Sequence, residues 1–211
     1  DNVLIWGGAG GLGLSAIQLC NIVGANPIPV VSDDEKGNFL LSNFMVDGFI
    51  NRKKENLNFW EKGKHNPLAW KKLSMILKKQ FKGHVDVVFE HPGRDTMAAS
   101  IYILRKGGKV VTCAATSGYD ISYDHRYLWM DSKSIIGCHF ANPYESLKAN
   151  SLVVEKKIRP FVSSVFEFKD ADKALKKFEK NKGFGKVVIN VLANSTEDKF
   201  SSLNCFGEMS G

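Results

Sequence analysis

The chain has 211 residues, 44% of them hydrophobic and 24% charged, an ordinary globular composition with room for one domain or one and a half. No apolar run approaches the roughly 20 residues of a membrane span, so a membrane protein is not expected. The net charge of +7 invites a nucleic-acid reading, but the lysines lie mostly in Lys53 to Lys82 and Lys169 to Lys186, spaced around hydrophobic residues as on solvated helix faces. Cys20, Cys113, Cys138 and Cys205 show neither zinc-ligand spacing nor a disulfide framework, so no metal is expected and a reduced, cytoplasmic compartment fits.

Asp1 and Asn2 lead directly into Val3 to Trp6, an apolar run of strand length, which suggests a domain taken from a longer chain. A glycine-rich turn follows, then a helix whose expected inner stripe is Leu12, Ala16, Ile17, Leu19 and Cys20. Gly8, Gly10 and Gly13 fill G-x-G-x-x-G in the strand–turn–helix setting of a dinucleotide site. Gly8 would allow the turn, Gly10 would let the backbone approach a pyrophosphate, and Gly13 would let the helix pack closely. With Gly11 and Leu12 they form the expected phosphate cradle at the helix N-terminus.

Pro27 to Val31 reads as the second strand, and its tip selects the nicotinamide cofactor. Ser32 and Lys36, with Arg52 further on, suit the 2′-phosphate of NADPH; a one-residue shift would instead offer the carboxylate of Asp33 or Asp34 to NAD. A helix through Phe39 to Phe44 and a strand at Gly48 to Asn51 follow. Lys53 to Asn66 has little periodicity and reads as a surface insertion. Pro67 to Phe81 is helical, Val85 to Phe89 a strand ending in the loop Glu90 to Arg94, Thr96 to Leu104 a helix, and Lys109 to Cys113 and Ile135 to Phe140 are strands. This alternation predicts an α/β, doubly wound parallel sheet of the Rossmann kind, with ligands at the carboxyl ends of the strands. Pro143 to Lys156 should be a helix with Leu147, Leu152 and Val153 inward. Val162 to Phe168 reads as a strand, Asp170 as the cap of a lysine-rich helix, and Lys186 to Val191 as a last strand.

The phrases VLIWGGAGGLG, INR, DVVFEHPGR, GGKVVTCAATSGY, RYLWM and IIGCHFAN, in this order, resemble the cofactor half of the crotonyl-CoA carboxylase/reductases, within the medium-chain dehydrogenase/reductase superfamily. The likeness runs from Asp1 to about Ala193. It departs at Gly8-Ala9 (usually Ala-Ser), at Pro92 (a threonine) and at Asp33 (often a serine), and is poor from Leu57 to Pro67.

The resemblance implies NADPH-dependent reduction of a 2-enoyl-CoA, hydride going to the β carbon and the resulting enolate attacking carbon dioxide at the α carbon. Crotonyl-CoA would give ethylmalonyl-CoA. It implies that His139 helps hold carbon dioxide, and that Lys106, Arg126 and Tyr127 serve acyl-CoA binding or the subunit contacts of a homo-oligomer. His91, Cys113, Ala114 and Phe140 would border the cofactor. The expected division is an NADPH-binding domain over 1–142, elements of a catalytic domain over 143–193 and a disordered tail over 194–211. Two alternatives stay open: a plain NADPH-dependent enoyl-CoA or quinone reductase, and a non-catalytic nucleotide-binding module.

Overall fold

Strand β1 (Asn2–Trp6) lies inside a six-stranded sheet, with β2 (Asn26–Val31) and β6 (Val85–Glu90) parallel to it on either side. The computed structural model describes residues 1–81, 83–179 and 183–191. The expected disordered tail, 194–211, lies outside them. With β3 (Ile50–Asn51), β7 (Leu104–Thr112) and β8 (Ser134–Gly137) the order is β3-β2-β1-β6-β7-β8, every pair parallel.

A parallel sheet needs cover on both faces, and alternation along β1 supplies it: Leu4 and Trp6 face one side, Ile5 the other. On the Ile5 side lie α1 (Gly11–Ile22) and α2 (Asp34–Asn43), through Leu14, Ile17, Cys20 and Leu40. On the Leu4 side lie α3 (Pro67–Gln80) and α4 (Met97–Ile103), through Trp70, Leu73, Leu77, Ala99 and Ile101. The doubly wound sheet read from the alternation is therefore the fold.

Several local expectations change. Leu12 and Leu19 are exposed, because the inner face of α1 runs through Gly13, Leu14, Ile17 and Cys20. The stretch 53–66 is no surface insertion. Leu57 and Phe59 are buried in the core, and β4 (Trp60–Glu61) and β5 (Lys64–His65) form an antiparallel hairpin. Its turn residues Lys62 and Gly63 have φ of 50° and 75°, the backbone that a two-residue hairpin requires. Strand β7 starts earlier than expected, at Leu104, and β8 stops at Gly137.

The short α5 (Arg126–Trp129) packs near α4 before β8, and after β8 comes α6 (Pro143–Val154), started by an Asn142–Glu145 capping box. No residue of α6 is buried: Leu147 and Val153 are exposed and only Leu152 is partly covered, because no described layer of the chain lies over this helix. A second sheet pairs β9 (Val162–Glu167) in parallel with β10 (Lys186–Asn190), linked by a 3₁₀ turn ending at Asp170 and α7 (Ala171–Glu179). Asp170 accepts a hydrogen bond from Lys173 Nζ at 2.6 Å.

Among the described residues, contacts around this second sheet join it to the layer of α1, α2 and the glycine turn. Gln18 exchanges hydrogen bonds with the backbone of Arg159, Phe39 packs on Phe161 and Phe184, and the Gly185 amide donates to the Ala9 carbonyl at 2.9 Å. Among the described residues no helix is long and apolar enough to cross a membrane.

Candidate cofactor cleft

The turn between β1 and α1 is made at Gly7, one residue before the position expected, with φ of 60°. A Cβ on Gly7 would also meet His91 Nε2 at 2.8 Å. Gly8 instead lies against Pro29, and Gly13 against the Gly7 and Gly8 carbonyls, so the helix starts in contact with the turn. Gly10 is the N-cap of α1. No side chain caps it and no acidic residue stands in the first turn, so the amides of Leu12 and Gly13 and the positive end of the helix are available to an anion.

A cleft of about 390 Å³ opens above this turn at the carboxyl ends of the strands. Of the residues expected to bind cofactor, Gly10, Ser32, Lys36, Arg52 and His91 line it. Gly8, Gly11, Leu12 and Gly13 form the turn and helix start behind it. Lys36 Nζ donates to Ser32 Oγ at 3.2 Å, placing a hydroxyl and an ammonium together at the tip of β2.

Asp33 is committed elsewhere. It caps α2, Oδ1 accepting from the Lys36 amide at 2.9 Å and Oδ2 from Ser32 Oγ at 2.7 Å. Burial opposes ionisation, but these bonds and the charges of Lys36 and Lys53 hold its carboxyl below the usual value. Asp34 accepts from Asn51 and Lys54. Neither aspartate lines the cleft.

At the other end, His91 Nε2 donates to the Trp6 carbonyl at 2.9 Å, a bond that fixes the ring and leaves Nδ1 as its acceptor when neutral. The loop carrying His91 is anchored by Glu90, a fully buried carboxylate that composition and spacing did not single out. Its Oε1 accepts from the Gly93 amide (3.1 Å) and Thr96 Oγ1 (2.7 Å), and its Oε2 from Ser100 Oγ (2.5 Å). Ser100 in turn accepts from Trp6 Nε1 at 2.9 Å, tying the loop to β1 and α4. Burial pushes the Glu90 carboxyl up, against the opposing pull of these hydrogen bonds. Thr96, Thr116 and Ser117, also missed, add hydroxyls to the lining.

The remaining expected residues stand outside this cleft. Cys113 and Ala114 follow the end of β7, the Cys113 amide donating to the Glu90 carbonyl. Burial, then Cys138 and Glu90, push the Cys113 thiol up, which disfavours the thiolate. His139 and Phe140 lie past β8, both exposed, their rings 3.8 Å apart, with Phe140 at φ of 58°. Lys106 is exposed on β7, Arg126 is paired with Asp124, and Tyr127 sits edge-on to Tyr102. Among the described residues no group of three or more His, Cys, Asp or Glu could hold a metal ion.

The sequence is 45% identical over 195 residues to a crotonyl-CoA reductase of Streptomyces avermitilis, covering 92% of this chain and 44% of that protein. It is 40% identical over 193 residues to a crotonyl-CoA carboxylase/reductase of Cereibacter sphaeroides, covering 86% and 44%. The fold matches a 2-octenoyl-CoA carboxylase reductase solved with NADP and 2-octenoyl-CoA, at a TM-score of 0.86 and 34% identity, over 93% of this chain and 44% of that one. The chain thus spans less than half the length of these relatives. The pattern of the zinc-binding dehydrogenases matches residues 11–155, although the described residues offer that metal no site. On that match, over more than half its length, the chain belongs to the zinc-binding dehydrogenase family.

Proposed function

We propose that this chain is the NADPH-binding half of a reductive carboxylase acting on a 2-enoyl-CoA, working in a reducing, cytoplasmic compartment. The observation that carries the cofactor is the cleft itself: an uncapped helix N-terminus at Gly10, with Ser32, Lys36 and Arg52 at the tips of β2 and β3. The helix end would take the pyrophosphate, and the hydroxyl and two cations would take the 2′-phosphate. Asp33, which would repel that phosphate, is turned into the cap of α2. His91, set by the Glu90 network, would border the bound cofactor. Bound NADPH supplies the hydride.

The carboxylating half of the reading rests on the likeness to the relatives above and on His139. A neutral imidazole can donate a hydrogen bond toward an uncharged gas, and the exposure of His139 fits a site shared with a second domain. Arg126, Tyr127 and Lys106 are the candidates for acyl-CoA binding or for contacts in a homo-oligomer. The elements from Pro143 to Val191 then belong to the catalytic domain, and residues 1–142 to the cofactor domain.

The test pairs this chain with a complete catalytic half and supplies crotonyl-CoA, NADPH and bicarbonate. His139→Ala should raise butyryl-CoA severalfold relative to ethylmalonyl-CoA while NADPH oxidation continues, since one lost hydrogen bond amounts to about 0.5–1.5 kcal/mol. An unchanged ratio removes His139 from the carbon dioxide site. If the unmutated pair yields only butyryl-CoA, the protein is a plain enoyl-CoA reductase.

A further inference from the structure

We infer that Trp60 is the aromatic platform for the adenine ring of the dinucleotide, an assignment that rests on the NADPH reading above. Trp60 opens the β4–β5 hairpin, in the stretch where the likeness to the carboxylase/reductases is poor, and its side chain lines the cleft together with Ser32, Lys36 and Arg52. Those three residues mark the adenosine end. The base would lie in the same cleft, and of its large aromatic lining residues Trp6 and Phe59 are buried in the core, which leaves Trp60 as the candidate.

Two neighbours hold the indole in place. The His65 ring meets it edge-to-face, centroids 4.7 Å apart and planes 83° apart, and the Arg94 guanidinium lies over the ring, 5.5 Å from its centroid. Neither His65 nor Arg94 lines the cleft, whereas Trp60 does. The hairpin is itself fixed: Phe59 packs edge-on against Trp6 at 5.4 Å, the Asn66 amide donates to the Phe59 carbonyl, and His65 Nε2 shares a hydrogen bond with Ser122 Oγ at 2.8 Å. An aromatic surface already oriented in the free protein gives up little entropy on binding, and stacking on it favours a purine over a sugar or phosphate.

The experiment titrates the unmutated chain, Trp60→Ala and Trp60→Phe by calorimetry with three probes: NADPH, 2′,5′-ADP (the adenine end alone) and reduced nicotinamide mononucleotide (no adenine). Trp60→Ala should weaken NADPH and 2′,5′-ADP equally, by about tenfold or more, roughly 1.4 kcal/mol, and leave the mononucleotide unchanged. Trp60→Phe, which keeps an aromatic face, should retain most of the affinity. 2′,5′-ADP should also quench indole fluorescence in the unmutated chain, and the quench should disappear in Trp60→Phe. Unchanged NADPH affinity in Trp60→Ala overturns the assignment. So does an equal loss for the mononucleotide, which would make Trp60 a structural support of the whole cleft. If the unmutated chain binds neither NADPH nor 2′,5′-ADP, the dinucleotide reading itself has failed.

Discussion

Gly13→Ala probes the contact on which the cofactor loop depends. A Cβ at this position would sit 2.6 Å from the Gly8 oxygen and 2.7 Å from the Gly8 carbonyl carbon, with the Gly7 oxygen nearer still. Ordinary contact begins at 3.4 Å, so the shortfall against the Gly8 oxygen is 3.4 Å less 2.6 Å, about 0.8 Å. All three atoms belong to the backbone leaving the central strand and cannot rotate away. Overpacking of this kind costs about 1–3 kcal/mol, offset in part by the roughly 0.5–1 kcal/mol that alanine gains over glycine inside a helix. The net loss should be about 1–2 kcal/mol, lowering Tm by about 3–6 °C for a domain of this size. A helix start displaced by several tenths of an ångström also takes its amides out of hydrogen-bonding range of a phosphate. NADPH affinity should then fall by about tenfold or more, the loss expected for one charge-assisted hydrogen bond. Thermal unfolding and calorimetric titration read the two effects. Gly10→Ala is the comparison, its added Cβ lying 3.3 Å from the Gly7 oxygen, and its stability loss should be much smaller. A Gly13→Ala protein as stable as the original, with unchanged NADPH affinity, would refute the close approach.

NADPH should bind at least about tenfold more tightly than NADH, and Lys36→Ala should erase most of that preference; equal affinities in the unmutated chain would mean that Ser32, Lys36 and Arg52 do not read the 2′-phosphate. Because burial raises the Glu90 carboxyl in the folded state, its contribution is fully present below the unfolded value of about 4.3 and is lost as pH rises through the folded value. The stability of the unmutated chain minus that of Glu90→Gln, from urea unfolding, should therefore decline as pH rises, and a flat or increasing difference would contradict it. Lys133, its side chain 2% exposed, donates to the Ile101 carbonyl at the end of α4 and pairs with Asp131; Lys133→Met should cost about 1–3 kcal/mol in denaturant unfolding, and a cost near zero would show that carbonyl to be satisfied otherwise. The apolar side chains exposed on α6 and α7, Leu147, Val154, Leu175 and Phe178 among them, should make the chain bind a hydrophobic dye; absence of dye fluorescence would show that face to be covered.

The central strands were legible because burial on both faces leaves an uninterrupted apolar run, as in Val3 to Trp6 and Pro27 to Val31. The same signal misleads at Ile135 to Phe140. The run stays apolar, yet pairing with β7 closes at Thr112 and Gly137, and Phe140 takes a left-handed backbone that no strand uses. The 53–66 stretch was opaque because two-residue strands are too short to show a period, and its core anchors Leu57 and Phe59 are separated by a polar residue within a lysine-rich run. At the site, the glycine pattern located the phosphate turn but assigned its left-handed residue to Gly8, since φ at Gly7 follows from the path of the chain and not from the motif. Glu90 looked like the first residue of a polar loop. Its donors Thr96 and Ser100 lie on the next helix, and nothing in local sequence says that all three meet in the core.

The hydrogen bond from Gly185 to Ala9 joins residues from opposite ends of the described chain. During synthesis the glycine turn emerges well before this partner, so the rim of the cleft at that point cannot close until the residues between them have been made. Contacts of such long sequence separation form late and slowly in folding. A dinucleotide that favours the closed rim would therefore act on a late step in the folding of this part of the chain, tightening the association between the second sheet and the first. By reciprocity, whatever docks on the second sheet would change how firmly the dinucleotide is held.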